Sequence, residues 1–374
     1  MKIKIAHVQV LPILSGVQNI SLEIFSGLSN DKYDKYLICS LDEIESEVFK
    51  DKFEKAGVTI IRLANLKRNI GLHDVKVCIE LYRLFKHYQF DVVHTHSTKP
   101  GIVARTMARI AGVRAVIHTV HGVAFHKNER LLKRLVFYIL EFTATLFGHY
   151  ITSVNCYYQR YYKFVRSRYF RVIHNGVDID VELVAKNIGD EGKIKNILFL
   201  SRLDKAKDPI TLLQAISLLV NKYQRQDFRL LIAGEGEYMA EAQRYVAENH
   251  LDKYVEFLGW IEDKHKIYAQ ADIFCVPSIF EAFGLVFAEA GLHQLPTVAT
   301  TVEGIPEVVI DGETGILVEP KNSVALAEKL NFLLDNPAER VRLGKNAKSH
   351  VIRNFSRKRM VADYKKLYSE ALLK

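Results

Sequence analysis

Short apolar runs alternate with stretches of helical spacing along most of this chain. A run of four to eight apolar residues bounded by turn residues reads as a buried strand, and apolar positions at i, i+3, i+4 and i+7 read as a helix. On that pattern, strands are expected at residues 2–10, 36–40, 58–62, 91–95, 115–120, 150–154 and 170–173. Helices are expected between them at 17–28, 44–56, 72–87, 101–111 and 129–147. Asn175-Gly176 marks a tight turn, and the residues from there to Lys195 are polar without a clear period. The alternation then restarts, with strands at 196–200, 228–233, 255–258 and 273–276 and helices at 209–221, 238–249 and from 282 onward. Three more helices, 323–334, 340–353 and 358–372, close the chain. Repeated strand–helix alternation implies parallel sheets covered by helices, so two doubly wound α/β domains are expected, with a boundary near residue 178. In such folds ligands gather outside the C-terminal ends of the strands.

Those strand ends carry the polar chemistry. The first leads into Ser15-Gly16-Val17, where a glycine before a helix lets the backbone approach a phosphate; a lone glycine is also an ordinary turn residue. Two later ends carry histidines, His94 and His96 in one and His118 and His121 in the other, the last followed by Gly122. No carboxylate stands with them at these strand ends, so no metal site is expected there, and a polar group over a cleft or a hydrogen-bonded core histidine are both open readings. Arg202 and Lys207 flank the start of the helix at 209–221. Two cations there oppose the helix dipole unless an anion lies between them, which suits a diphosphate. Ala233-Gly234-Glu235-Gly236 is a glycine-rich turn after the next strand. The stretch from Asp272 to Gly291 holds Glu281, expected at a helix start, and Glu289 inside an apolar run with Phe283. Eight residues at about 100° each bring the two carboxylates within about 80° of one another on a helix. A carboxylate in apolar surroundings needs hydrogen-bond partners, and sugar hydroxyls supply them; a core helix whose glutamate reaches outward is the plainer alternative. Asp178-Ile179-Asp180 has the look of a D-x-D metal motif but belongs to the hinge.

Charge divides the chain. Residues 1–176 hold 26 Lys and Arg against 14 Asp and Glu, whereas residues 177–374 hold 26 against 29. The basic first half suits an anionic partner: a membrane surface, a phosphorylated substrate or nucleic acid. Residues 126–171 concentrate the effect, with nine Lys and Arg, two acids and many Tyr and Phe. Aromatic and basic residues together suit a lipid headgroup region, single-stranded nucleic acid or simply a solvated amphipathic face. Residues 135–147 are too short to span a bilayer and are interrupted by Glu141. The four cysteines are scattered, which argues against a disulfide framework and a zinc site and fits a reducing cytoplasm. The first ten residues read as a strand and not as a signal peptide.

The stretch from Asp272 to Gly291 resembles the donor-binding signature of family 4 of the glycosyltransferases, retaining enzymes of the GT-B fold. Ser201-Arg202-Leu203 with Lys207, the Gly234–Gly236 turn, residues 255–259, Gly304 to Glu307, the Thr119-Val120-His121-Gly122 ending and His174 to Asp178 resemble the family in register. The resemblance implies two Rossmann-like domains facing a central cleft, an acceptor domain at 1–177 and a nucleotide-sugar domain at 178–353, with residues 354–374 as a helix returning to the first. It implies that Glu281 contacts the donor sugar, Glu289 the ribose, and the amides of Gly284, Leu285 and Val286 the diphosphate. Arg202 and Lys207 become the diphosphate pair and His121 the histidine facing the transferred sugar, with His94, His96 and His118 lining or supporting it. Gly16, Asn175, Gly234 and Phe283 complete the expected donor contacts. The expected activity is transfer of a hexose or N-acetylhexosamine from a nucleotide-diphospho-sugar, UDP-linked by preference, with no metal or other cofactor. A lipid-diphosphate-linked saccharide is the expected acceptor, in bacterial capsule or O-antigen synthesis at the inner face of the plasma membrane, with an anionic membrane surface and no nucleic acid as partner. A nucleotide-sugar epimerase of the same fold and a non-catalytic binding module are the alternatives; an epimerase changes its nucleotide sugar without an acceptor.

Overall fold

The computed structural model describes residues 2–41, 47–69, 71–126, 129–181 and 194–373. Residues 44–46 of the helix expected at 44–56, and most of the aperiodic stretch before Lys195, lie outside the described residues. The chain forms two compact units, residues 1–176 together with 357–374, and residues 177–356.

The first unit begins with β1 (Ile3–Val8), α1 (Gly16–Gly27), β2 (Tyr33–Ser40), α2 (Glu47–Lys55), β3 (Val58–Leu63) and α3 (His73–Tyr88). It continues with β4 (Val92–His96), α4 (Thr98–Ile110), β5 (Ala115–Val120), α5 (Leu131–Thr145), β6 (Tyr150–Ser153) and β7 (Phe170–Val172). The second unit runs through β8 (Lys195–Leu200), α6 (Pro209–Asn221), β9 (Phe228–Ala233), α7 (Met239–Glu248), β10 (Val255–Gly259), α8 (Lys264–Gln270) and β11 (Ile273–Cys275). It ends with α9 (Leu285–Leu292), β12 (Thr297–Thr300), α10 (Ile305–Val308), β13 (Gly315–Val318), α11 (Ser323–Asp335) and α12 (Pro337–Asn354). The last helix, α13 (Arg357–Leu372), belongs to the first unit.

Both sheets are parallel throughout. The first has the order β3-β2-β1-β4-β5-β6-β7 and the second β10-β9-β8-β11-β12-β13. In each, the strand order reverses once, between β1 and β4 and between β8 and β11. Chains leaving two such neighbours turn to opposite sides, which opens a crevice at their C-terminal ends. The structure thus has the α/β class and paired doubly wound sheets expected of it.

Strands β12 and β13 and helices α8 and α10 were not expected. Each of these strands is four residues long, and α10 is a single turn. Strand β12 is defined by its pairing with β11 and β13.

The two faces of the first sheet differ in kind. Ala6, Val8, Val93 and Val116 pack against Val77, Leu81, Phe85, Ala104 and Ala108, an apolar layer beneath α3 and α4. The alternate residues are His7, His94, His96 and Thr119, and α13 meets them with Tyr364 and Tyr368. At the edge, Arg105 of α4 and Glu141 of α5 form a buried ion pair at 2.8 Å, and Arg105 also donates to the Gly101 carbonyl at 2.6 Å. Tyr162 lies on the same carboxylate, and burial followed by the Glu141 charge pushes its hydroxyl pKa well up.

Breaking a buried ion pair from one side strands the other charge, which costs about 3–5 kcal/mol. Glu141→Ala should lower the unfolding free energy by that order in a urea titration. A loss below about 1 kcal/mol, the value of an exposed pair, would show that Arg105 does not depend on Glu141.

Candidate active site

At the switch point of the second unit, the loops after β8 and β11 are knitted together. Ile279 and Phe280 donate their amides to the Ala206 carbonyl at 2.8 and 3.3 Å. Asp204 accepts from the amides of Ala206 and Lys207 at 3.0 and 3.1 Å, which curls the first loop. Asp208 takes the left-handed conformation (φ 50°), and its side chain accepts from the Thr211 amide while Pro209 opens α6. The loop rests on the glycine turn after β9: Leu203 donates to the Glu235 carbonyl at 2.9 Å. Gly234 has φ 134°, and a Cβ there would run into the Ser201 carbonyl oxygen. Its glycine therefore serves a close backbone approach within the protein.

This geometry brings Lys207 and Glu281 into an ion pair, both largely buried. Glu281 is pinned from three directions: its side chain by Lys207, its amide by Glu303 at 3.2 Å and its carbonyl by the Gly304 amide at 3.1 Å. Arg202 is mostly exposed and pairs with Asp204 at 2.8 Å. Each of the two cations thus has a carboxylate of the protein beside it. Glu303 carried no sequence signal, because its role arises only where β12 ends beside β11.

Glu281 was also expected at the helix start, and it is not there. The helix begins at Leu285 behind Gly284, which has φ 84°. Only glycine adopts that conformation without strain, and a Cβ there would strike the Phe287 ring. Residues 281–283 are consequently loop, and the expected angular relation between Glu281 and Glu289 on one helix does not hold. Gly284, Leu285 and Val286 stand at the first turn of α9, where amides have no earlier helical carbonyl to bond. Phe283, an expected donor contact, has its side chain in the core, edge-on to Phe355 at 5.3 Å. Glu289 is partly exposed and partnered: Lys264 lies 3.2 Å away and the Tyr268 hydroxyl donates at 3.0 Å. Both partners stand on the unexpected helix α8.

In the first unit the histidines form a connected chain. His121 Nε2 meets His96 Nδ1 at 3.0 Å, and His96 Nε2 meets His7 Nδ1 at 3.1 Å. His7 Nε2 meets the Tyr368 hydroxyl at 3.1 Å, which also meets His94 Nδ1 at 2.8 Å. His94 Nε2 meets Thr119 Oγ1 at 2.6 Å, and Thr119 reaches the Tyr364 hydroxyl at 3.2 Å. Each neutral imidazole has one donor and one acceptor nitrogen. The tautomers of His121 and His96 are therefore tied to one another, and Ser21 Oγ, 3.1 Å from His7 Nδ1 and 3.3 Å from His96 Nε2, bridges the next junction. His7 and Tyr368 were missed by sequence reasoning, since neither stands near the other histidines in the chain. His118 faces the opposite side of the sheet, bonded to Thr95 Oγ1 at 2.9 Å beneath Gly101.

Metal-ligating atoms of His7, His94 and His96 lie within 4.8 Å of one another, a spacing compatible with a metal ion. All six of their ring nitrogens are engaged in the hydrogen bonds of this chain.

Gly16 opens α1 in free space, with nothing within 4 Å of a Cβ placed on it, so the fold does not itself require glycine there. Ser97, at the end of β4, has φ 66° although it is not glycine, a strained backbone at the crevice of this unit. The side-chain oxygen of Asn175, both amide atoms of Gln9 and the Ser278 hydroxyl are buried without a hydrogen-bond partner among the described residues. Gln9 follows directly on β1, and Asn175 and Ser278 lie three residues beyond the ends of β7 and β11.

Burial is the main force lowering the pKa of His7, His94, His96, His118 and His121, the last to about 4. Neighbouring imidazoles add to it at His7, His94 and His96, and Arg105 does so at His118. Unfolded, these imidazoles bind protons below about pH 6.5; folded, they stay neutral well below it. The unfolded state therefore binds more protons in that window, and stability should fall as pH drops from about 6.5 toward 4, by up to about 1.4 kcal/mol per pH unit for each histidine. Thermal melts from about pH 7.5 to about pH 5 should show a falling midpoint, with a shallower slope in His7→Gln. A flat profile would mean that the histidines are protonated in the folded protein.

Comparison with known proteins bears on both units. The family described as Glycosyltransferase Family 4 matches residues 14–181, and Glycosyl transferases group 1 matches residues 181–350. The chain is 33% identical to the UDP-Gal:alpha-D-GlcNAc-diphosphoundecaprenol alpha-1,3-galactosyltransferase of Escherichia coli, over 100% of this chain and 98% of that one. It is 30% identical to the D-inositol 3-phosphate glycosyltransferase of Corynebacterium efficiens, over 76% of this chain and 72% of that one. Among solved structures it is similar to Anabaena Alr3699/HepE in complex with UDP and glucose, with a TM-score of 0.82 at 19% identity, covering 98% and 99% of the two chains. A glycosyltransferase from Rickettsia africae superposes with a TM-score of 0.81 at 22% identity over 99% of both.

Proposed function

Because the chain belongs to the family 4 glycosyltransferases of the GT-B fold, we propose that it moves a hexose or N-acetylhexosamine from a UDP-sugar to a lipid-diphosphate-linked saccharide. The proposal includes retention at the anomeric carbon and a place in capsule or O-antigen assembly. The observation that carries it is the convergence of the Arg202–Lys207 and Glu281–Val286 loops on one switch point, where Lys207 pairs with Glu281. The full-length likeness to a galactosyltransferase whose name specifies a UDP-linked donor and a diphosphoundecaprenol-linked acceptor supports the choice of substrates.

In this reading the anomeric carbon–oxygen bond breaks toward the diphosphate. The acceptor hydroxyl oxygen bonds to that carbon on the same face, and its proton passes to a diphosphate oxygen. Negative charge grows on the leaving group, and Arg202 and Lys207 stabilise it, as fixed charges do where charge develops in the transition state. The diphosphate competes with Asp204 and Glu281 for the two cations. Glu281, released from Lys207, is then free to accept from a donor-sugar hydroxyl. The amides of Gly284, Leu285 and Val286 receive diphosphate oxygens, Glu289 the ribose, and Gly16, Asn175 and Gly234 complete the donor contacts, with Phe283 contributing through its backbone. His121 offers its outer nitrogen to the transferred sugar. No metal enters, so EDTA should leave the rate unchanged.

No helix among the described residues is long and apolar enough to cross a membrane. Association with the inner face of the plasma membrane is accordingly read as peripheral, through the basic first unit.

The reading is tested with purified protein and a panel of UDP-, GDP- and ADP-sugars. UDP should raise the thermal midpoint, GDP and ADP should not, and Glu289→Ala should weaken UDP binding about tenfold or more, as loss of a charged hydrogen bond does. Lys207→Ala should lower kcat by about 10²–10³, the cost of removing a transition-state charge stabiliser. No shift with any nucleotide would overturn the donor assignment, and inversion at the anomeric carbon, read by NMR of the product, would overturn retention.

A further inference from the structure

Helix α5 is inverted relative to an ordinary surface helix. A helix at a protein–water boundary buries its apolar stripe and exposes its polar one. Here Glu141 and Ala144 are the buried positions, and Arg105 holds the carboxylate in place. The outward side carries Leu131, Leu132, Leu135, Val136, Ile139 and Leu146, the first two about four-fifths and three-quarters exposed. At about 100° per residue these six fall within an arc of about 140°. Lys133 and Arg134 stand at its two margins. An exposed apolar patch of this extent marks an interaction surface.

The stripe does not end in open solvent. Tyr138 and Phe142 carry it to Phe164, with ring centroids 5.4 Å away in both cases. Next to Phe164 lies a cavity of about 610 Å³ lined by Arg160, Lys163 and Arg166 together with Tyr157 and Tyr162, and by no acid. Arg160 lies over the Tyr157 ring at 3.8 Å. None of the three cations forms an ion pair among the described residues.

An apolar stripe running into an uncompensated cationic cavity matches a molecule with an apolar body and an anionic head. Inorganic phosphate would satisfy the cavity and leave the stripe bare. A second copy of this chain would bring two cation-rimmed faces together, and like charges oppose that pairing. We propose that α5 lies in the surface of a bilayer and that the adjoining cavity receives the diphosphate of a polyprenyl lipid embedded there. The proposal rests on the reading of the acceptor as lipid-diphosphate-linked and assigns that acceptor's head and the membrane contact to named residues. Fifteen residues make a helix about 22 Å long, suited to lying in the interface with its apolar arc down and its cations level with the headgroups.

The experiment is flotation of the full chain with three vesicle compositions: phosphatidylcholine alone, phosphatidylcholine with phosphatidylglycerol, and phosphatidylcholine with undecaprenyl diphosphate. Binding should be strongest to the third, at matched vesicle charge. Leu135→Asp with Ile139→Asp should reduce binding to both charged compositions about tenfold or more, through lost burial of two aliphatic side chains. Arg160→Ala with Lys163→Ala and Arg166→Ala should abolish the preference for undecaprenyl diphosphate over phosphatidylglycerol. Both positions of the α5 variant are exposed, and a retained UDP-induced thermal shift shows that either variant is folded. Unchanged flotation of the α5 variant would overturn the proposal. So would an unchanged preference in the cavity variant, or a concentration-dependent dimer in sedimentation that Ile139→Asp abolishes. Because flotation needs no turnover, lipid binding without any UDP shift would fail the donor assignment alone, and a UDP shift without lipid preference would fail this inference alone.

Discussion

Every strand in both sheets runs parallel to its neighbours, and helices cover the sheets, so the inner strands are buried along most of their length. That constraint governs where chemistry is placed in this protein. A strand buried on both faces has little room for an unpaired polar side chain, and the polar residues collect at the C-terminal ends, where loops leave the sheet. Arg202, Lys207 and Glu281 stand beyond β8 and β11 for that reason, and His121 stands beyond β5. Where polar residues do enter the sheet, as His7, His94, His96 and Thr119 do, each is matched by another, and α13 supplies the two tyrosines that complete the set.

Three cation–carboxylate pairs illustrate how burial changes the meaning of one interaction. Arg105–Glu141 is fully buried and fixes α5 to α4, a structural tie whose loss from one side leaves a charge stranded. Lys207–Glu281 is largely buried and ties the loop after β8 to the loop after β11. Lys264–Glu289 is more open, with a lysine about half exposed, and it holds the glutamate in one place at little energetic gain. The same chemistry thus serves as a rivet between helices, a tie between two loops and a positioning device for one side chain.

The Arg105–Glu141 tie also connects the interior of the first unit to its surface. By taking the one acidic side chain of α5 inward, it turns the aliphatic side chains of that helix out. A reversed register would bury the leucines and leave Glu141 in water, the usual arrangement. The arrangement adopted is costly in water, which is the physical ground for reading α5 as a lipid-facing element.

The alternation of apolar runs and helical periods was enough to establish two doubly wound units, since that pattern reports local burial. The strand-end positions of Arg202, Lys207, Glu281 and His121 followed from it, because a loop after a strand is visible in the chain itself. Shortness alone did not decide legibility: β7 and β11, of three residues each, stood out as apolar runs, whereas β12 and β13, of four each, are defined by the strands they pair with. The helix start at Leu285 turned on the left-handed conformation of Gly284, which a glycine permits but does not announce. Partnership was least legible of all. That Glu281 pairs with Lys207, that Glu289 is met by α8, and that His7 and Tyr368 join His94 and His96 of β4 all depend on contacts between residues far apart in the chain. Sequence alone determined which side chains stand at the ends of the strands; only the tertiary structure decided which of them meet, because burial obliges each charge and each imidazole to find a partner wherever the fold brings one near.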